Sequence, residues 1–292
     1  MNSIALPASK TFDAKRWKAK FSGEFISVNQ HTRMGRTEHF GPLRVQRPFY
    51  PEGLDCLHLY LLHPPGGLVG GDKLSIELKT SDHAHILMTT PSAGKIYRNI
   101  SGIKQGQHVE IHVADNAIVE YLPQENIIFN NADAELFTNV TVEGSGVYIG
   151  WEITCLGRIE SDDLFTDGGL RQSLNIQKNG KPLFIDKLSL LAPSNLQTGR
   201  AGLQGKSVFG TFVINRDVID SETADELAQW QEDMNIKIAP SSVSITQKPG
   251  VFVARILGDK SEQARDTFEN LWTILRPKII NRNACAPRIW RT

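Results

Sequence analysis

Cysteine is scarce. Cys56, Cys155 and Cys285 are the only three, odd in number and far apart, so neither a disulfide framework nor a zinc ribbon is expected. A reducing compartment is the simplest setting. Long apolar runs are missing as well, with none near the ~18 residues needed to cross a bilayer. The opening MNSIALPASKTFDAKRW lacks the continuous apolar core of a secretory signal. These absences lead us to expect a soluble, cytoplasmic chain with no membrane partner. An excess of one charge sign is lacking too. Lys+Arg and Asp+Glu number 32 each, which leaves no basic footprint for nucleic acid. A net charge of zero also removes a defence against association, as fits a permanent partner or poor solubility alone.

Catalytic signatures are equally thin. There is no G-x-S-x-G elbow and no C-x-x-C or H-E-x-x-H ligand set. Asp162 and Asp163 are adjacent and would point apart on a strand. The Gly-rich stretch HPPGGLVGGDK runs into an alternating segment, so its glycines have no helix N-terminus with which to cradle phosphate. It reads as a long loop whose glycines allow positive φ or close backbone approach. All eight histidines precede residue 113. His83 with His85, and His108 with His112, are expected to share strand faces. Such pairs can hold nickel, zinc or copper, or simply form the wet side of a sheet.

What the sequence does contain is a period of two. From about Trp17 to Asn215, segments such as KLSIELK and QHVEIHV place Leu74, Ile76 and Leu78, or Val109, Ile111 and Val113, on one side. Gly, Pro, Asn or Asp bound each segment, the spacing of stacked antiparallel strands. LNIQKNGKPLFID reads as a hairpin turning at Asn179-Gly180. Helical spacing comes only late. TADELAQWQEDMN carries a Thr223/Glu226 capping-box pattern and a Leu227, Trp230, Met234 stripe. After a strand pair around Pro249-Gly250, SEQARDTFENLWTILRP spaces Ala264, Phe268, Leu271, Trp272 and Leu275 along one face. Ser261 is expected to cap this helix and Pro277 to stop it. No linker or repeat is visible, so one domain is expected.

Several longer words carry a resemblance. HPPGGLVGGD, TTPSAGKIYR, VEYLPQENIIF, WEITCLGR, GKSVFGTFVI and LRPKIINRNACAPRIW occur in an order that resembles the urease accessory protein UreD (UreH) family, from about Arg44 to the C-terminus. The resemblance implies a single domain of that type over residues 1–292, with residues 1–16 loosely held. It implies a mainly β fold of stacked antiparallel or mixed sheets in a helical-type arrangement, with about two C-terminal α-helices. It further implies a non-enzymatic scaffold and metallochaperone for nickel insertion into urease apoprotein, acting with accessory proteins F and G, the latter a GTPase. No cofactor would be tightly bound; nickel would be in transit through an internal passage.

Residue by residue, the resemblance makes Asp72 and Glu152 candidates for lining that passage. Asp72 could equally only fix its turn. Gly66, Gly67, Gly70 and Gly71 would let the loop pack tightly, and Lys95, Tyr97 and Arg98 are either structural or lining. Arg276, Lys278, Arg282, Arg288 and Trp290 are candidates for docking a partner; the other reading is a closing strand packed on its own body. Two different classes stay open beside this one. They are an enzyme with an unrecognised site in the Gly-rich loop, and a nickel-binding or storage protein using the His-rich first half.

Overall fold

A computed structural model describes residues 17–220 and 222–291; the expectation for residues 1–16 lies outside the described residues. The chain is mainly β, as expected, and its strands lie in two sheets. The first contains β1 (Lys18–Val28), β2 (His31–Phe40), β5 (Lys73–Thr80), β8 (Gln105–Val113), β11 (Asp133–Val142), β14 (Gly168–Lys178) and β15 (Lys181–Ala192). Their spatial order is β15-β14-β11-β8-β5-β1-β2. The second is built on β3 (Arg44–Val45), β4 (Cys56–Leu62), β6 (His85–Thr89), β9 (Ile118–Tyr121), β12 (Val147–Arg158), β16 (Val208–Ile214), β17 (Ser242–Lys248) and β18 (Val251–Gly258). Short strands β7 (Gly94–Ile96), β10 (Asn126–Ile128) and β13 (Asp163–Leu164) join it at the side.

The expected antiparallel neighbours give way to a coil. Strands β5, β8, β11 and β14 pair parallel in one sheet, and β4, β6, β9 and β12 pair parallel in the other. The chain steps from one sheet to the other at each turn, so no crossover helix is needed. Antiparallel pairs close the ends, including the β14–β15 hairpin, whose Asn179 and Gly180 both take positive φ. Three corner turns make the coil possible, each with a residue at positive φ: His83, Asn116 and Gly144. Each closes with the same bond from its fourth residue to its first, Ala84 to Ser81, Ala117 to Ala114 and Gly146 to Glu143. The corners then stack, Ile118 N donating to Ala84 O and Val147 N to Ala117 O. His83 is thus a corner residue and shares no strand face with His85.

Alternation sorts the side chains into two cores. Leu74, Ile76, Leu78, Val109, Ile111 and Val113 point between the sheets and are all 6% exposed or less. The outer face of the first sheet is polar, with Glu110, Asn139 and Asn175 hydrogen-bonded in a row across β8, β11 and β14. The outer face of the second sheet is apolar and carries Trp151, Phe212 and Phe252. Two long helices, α2 (Ala224–Ile238) and α3 (Ser261–Ile280), cover it with Leu227, Trp230, Met234, Phe268, Leu271 and Trp272; α1 (Asn195–Thr198) is a single turn elsewhere.

The helix ends differ from expectation. Thr223 makes no side-chain cap bond, and its hydroxyl donates to Val218 O. Asp220 Oδ1 instead accepts from the Glu222 and Thr223 amides. Ser261 is the first residue of α3 and bonds Glu125, while Pro277 lies inside the helix, which ends at left-handed Asn281. A proline in a final turn removes one bond that packing on the sheet offsets.

Candidate functional site

The Gly-rich loop between β4 and β5 is held by its aspartate. Asp72 Oδ1 accepts from Trp17 N and Oδ2 from Val69 N, each at 3.1 Å. Both oxygens face amides of the turn and of the start of β1, and Asp72 is 8% exposed. It lines neither of the two clefts between the sheets. The side chain braces a turn, and the structure does not bring it together with Glu152.

The glycines of the loop serve close approach. Leu68 exchanges backbone bonds with Lys95 O and Tyr97 N at 2.8 and 2.9 Å. A Cβ on Gly67 would meet the Tyr97 ring and sit 2.9 Å from Lys95 O, and one on Gly70 would strike Ser101 and Asn99. Gly66 and Gly71 take positive φ. Tyr97 packs on Phe129 at 4.8 Å, and Gln105 donates to its carbonyl. Lys95 and Arg98 are exposed. Gly67→Ala is expected to push the loop off this support and lower stability by about 1–3 kcal/mol. Thermal unfolding beside wild type checks this, with Gly66→Ala, whose added Cβ meets no neighbour, reporting the φ effect alone.

Glu152 does face inward. On β12 it alternates with Trp151 and Ile153, which point under the helices, so its carboxylate enters the space between the sheets. Thr138 donates to Oε1 at 2.5 Å and Gln172 to Oε2 at 2.9 Å, both from the facing sheet. Gln172 also accepts from Thr154, so a short polar row crosses an otherwise apolar interior. Burial raises the Glu152 carboxyl above its usual range; the Thr138 and Gln172 bonds oppose that, and Asp186 adds to it.

Two clefts flank this row. A cleft of about 410 Å³ is lined by Glu152, Gln172, Asp186, Thr211 and Arg255, where the layers part near β15 and β17. A smaller one of about 70 Å³ is lined by Gly66, His63, Lys95, Gln107 and Tyr121 on the side of the Gly-rich loop. Tyr121 lines the smaller one. Its hydroxyl is buried without a hydrogen-bond partner, and burial, then the Glu152 charge, raises its pKa. Tyr148, buried beside it, is raised for the same reasons.

The C-terminal candidates separate into two groups. Arg276 and Trp290 are interior residues and present no surface to a partner in this fold. Arg276 is 0% exposed, held between Glu52 and Glu120. Trp290 is 8% exposed, packs against Trp151 at a tilt and edge-on to Trp272, and donates to Thr89 at 2.8 Å. Arg282 donates to Glu52 O and pairs with Asp55, and Lys278 pairs with Glu226 of α2 at 2.9 Å. Arg288 is exposed. The segment after α3 is coil with a short turn at Arg288–Arg291, so it is no closing strand.

The group around Arg276 escapes sequence reasoning altogether. His58 Nε2 meets Glu52 Oε1 at 2.7 Å, and His85 Nε2 meets Glu120 Oε1 at 2.8 Å. Trp272 donates to Glu120 Oε2 at 2.7 Å, and Cys56 lies against Glu52 and Arg276. Burial alone would raise both carboxyls. The histidine and Arg276 contacts outweigh it and hold each at about 2. The available signal was polar residues inside apolar strands, Cys56 and His58 in CLHLYLL and Glu120 in AIVEYLP, with Arg276 one turn after Trp272 on the buried stripe.

Comparison with known proteins agrees with the motif words. The family model described as UreD urease accessory protein matches residues 18–291. The chain is 41% identical over 302 residues to the urease accessory protein UreD of Saccharophagus degradans, covering 100% of both chains. It is 36% identical to that of Psychromonas ingrahamii, over 99% of this chain and 98% of the relative. It is 39% identical to that of a Janthinobacterium species, over 94% and 92%. With nearly its whole length matched, and the motif words all inside the match, the chain belongs to the UreD urease accessory protein family.

Proposed function

We propose that this chain is a non-catalytic assembly component of urease maturation. It works with accessory proteins F and G on urease apoprotein and passes nickel, as cargo, along the polar row between its sheets. The observation that carries this reading is Glu152, a carboxylate turned into an apolar interlayer and open to a cleft that it shares with Asp186. Carboxylate oxygen is a weaker nickel donor than imidazole or thiolate, so it suits a step that must release the ion. A chain without a P-loop fits a division of labour in which nucleotide hydrolysis belongs to a partner.

A partner surface is also supported. Trp17, Phe40, Val69 and Ile100 are 51, 67, 52 and 83% exposed. Trp17 and Val69 are both tied to Asp72, Phe40 ends the strand paired with β1, and Asn99 and Ser101, on either side of Ile100, lie against Gly70. Apolar side chains gathered at one end of a protein mark a contact face.

Affinity capture of the full-length protein from cells expressing a urease operon tests the assembly role. Recovery of urease apoprotein with proteins F and G is expected. Urease that gains full activity in cells lacking this chain would overturn it. Turnover of a substrate by the purified, partner-free protein would overturn its non-catalytic part.

A further inference from the structure

The outer face of the second sheet is largely apolar under α3, and one cluster of buried acids and histidines interrupts it. There Glu52, Cys56, His58, His85 and Glu120 converge. The donor atoms of Glu52, Cys56 and His58 lie within 4.8 Å of one another, as do those of Cys56, His85 and Glu120. Cys56 belongs to both triads, so the five donors form one continuous group. β4 and β6 place Cys56 directly beside His85. Thiol, imidazole and carboxylate together are the donors that borderline divalent transition ions select, and four of them make a closed tetrahedral site. Folding alone does not call for this set, since packed apolar side chains are often at least as stabilising as buried ions. A further mark is the Nδ1 of His58, which is buried and has no hydrogen-bond partner.

The group already holds a cation. The Arg276 guanidinium donates to Glu120 through Nε and Nη2 and to Glu52 through Nη1 and Nη2, and its Nη2 stands 3.9 Å from Cys56 Sγ. Counting the acids and Arg276 alone, two carboxylates and one guanidinium leave one net negative charge. A divalent ion in the place of the guanidinium, bound with loss of the Cys56 proton, leaves the same sum: two carboxylates and a thiolate against two positive charges. Buried charge is costly to change, and this exchange does not change it.

We propose that this group binds one borderline divalent transition ion, of the zinc, cobalt or nickel type, through Cys56, the two histidines and a glutamate, in exchange for Arg276. In that exchange the Cys56 S–H proton passes to solvent, and the guanidinium swings out still protonated. Arg276 also donates to Asn283 O, and the neighbouring Arg282 to Glu52 O. Metal entry therefore loosens residues 281–291 from the sheet and makes this tail metal-responsive. The site is separate from the Glu152 row and stands whether or not that row carries nickel.

Cobalt(II) chloride titrated into the full-length, reduced, metal-free protein tests this. The expected result is one equivalent bound, with a near-ultraviolet thiolate-to-cobalt absorption that disappears in Cys56→Ser and persists in Cys155→Ser. Arg276→Gln removes the competing cation and is expected to tighten binding at least about tenfold, the factor equivalent to about 1.4 kcal/mol. Trypsin is expected to cut wild type within residues 282–291 faster when cobalt is bound. No thiolate absorption in wild type, or one that survives Cys56→Ser, would overturn the site. Cleavage unaffected by bound cobalt would overturn the exchange with Arg276. The wild-type readouts stand even if Arg276→Gln fails to fold.

Discussion

Arg276→Met is expected to lower stability by about 3–5 kcal/mol, the cost of leaving buried carboxylates without their counter-ion. Glu52 and Glu120 each take two or more of their hydrogen bonds from this one side chain or its histidine neighbours. Denaturant unfolding measures the loss. Arg288→Met, at an exposed position, should stay within about 0.5 kcal/mol. Adding Glu120→Gln to Arg276→Met should recover part of the loss, because the removed charge is the one left unpaired.

The pH dependence separates this electrostatic account from simple loss of packing. Both carboxyls sit at about 2 in the folded protein against an ordinary 4.5. A depressed folded pKa gives stability that is fully present above 4.5 and is lost as pH falls from there towards 2. For Glu120, fully buried, the gap corresponds to about 3 kcal/mol. Without Arg276 the sign should reverse, and mild acid should stabilise the variant by discharging the carboxylates. If acid destabilises Arg276→Met as it does wild type, the pairing is not what holds this region.

Glu152→Gln is expected to raise stability and abolish most urease activation at once. The carboxyl is raised in the folded state, first by burial, against the pull of its bonds from Thr138 and Gln172. A raised acid binds its proton more tightly folded than unfolded. Its contribution therefore declines as pH climbs through the unfolded pKa to the folded one, and ionised Glu152 is a liability at neutral pH. Glutamine keeps an oxygen for Thr138 and loses the charge. Its melting temperature should exceed that of wild type at pH 7 and converge with it in acid. Urease activity in cells carrying the variant reads the other arm. Full activation by Glu152→Gln would remove Glu152 from the proposed nickel path, whatever its melting temperature.

Much of the fold could be read from the period-two segments, because alternation is set locally by each strand. The inward sets of β5 and β8, the Asn179-Gly180 hairpin and the stripe on α2 all followed from spacing. Strand direction did not. Parallel and antiparallel partners show the same alternation, and the deciding feature is the corner turn. There His83, Asn116 and Gly144 adopt positive φ; SDHA and ADNA share an Asp and an Ala, but EGSG has neither, so the recurrence is too faint to read as a repeat. Helix ends failed for a related reason, since the Thr223 hydroxyl turns to Val218 and Asp220 through contacts that propensity does not rank.

Within the site, the family resemblance singled out Glu152, and strand alternation gave the face to which it points, opposite Trp151. The Gly-rich loop was understood correctly as a backbone device, although its aspartate braces the turn and does not line a cleft. The Arg276 group could not be read at all. Its members come from the turn at Glu52, from β4, β6 and β9, and from α3, and a single sequence carries no sign that Glu52 and Arg276, 224 positions apart, will touch.

That separation has a consequence for synthesis. A ribosome delivers both acids, two histidines and the sheet that carries them long before it delivers the one arginine that neutralises them. Until codon 276 is translated, the nascent chain must keep that apolar face open and wet, or shield it with a holdase. Products terminated before codon 276 should therefore accumulate as chaperone-bound or degraded species, however complete their sheets.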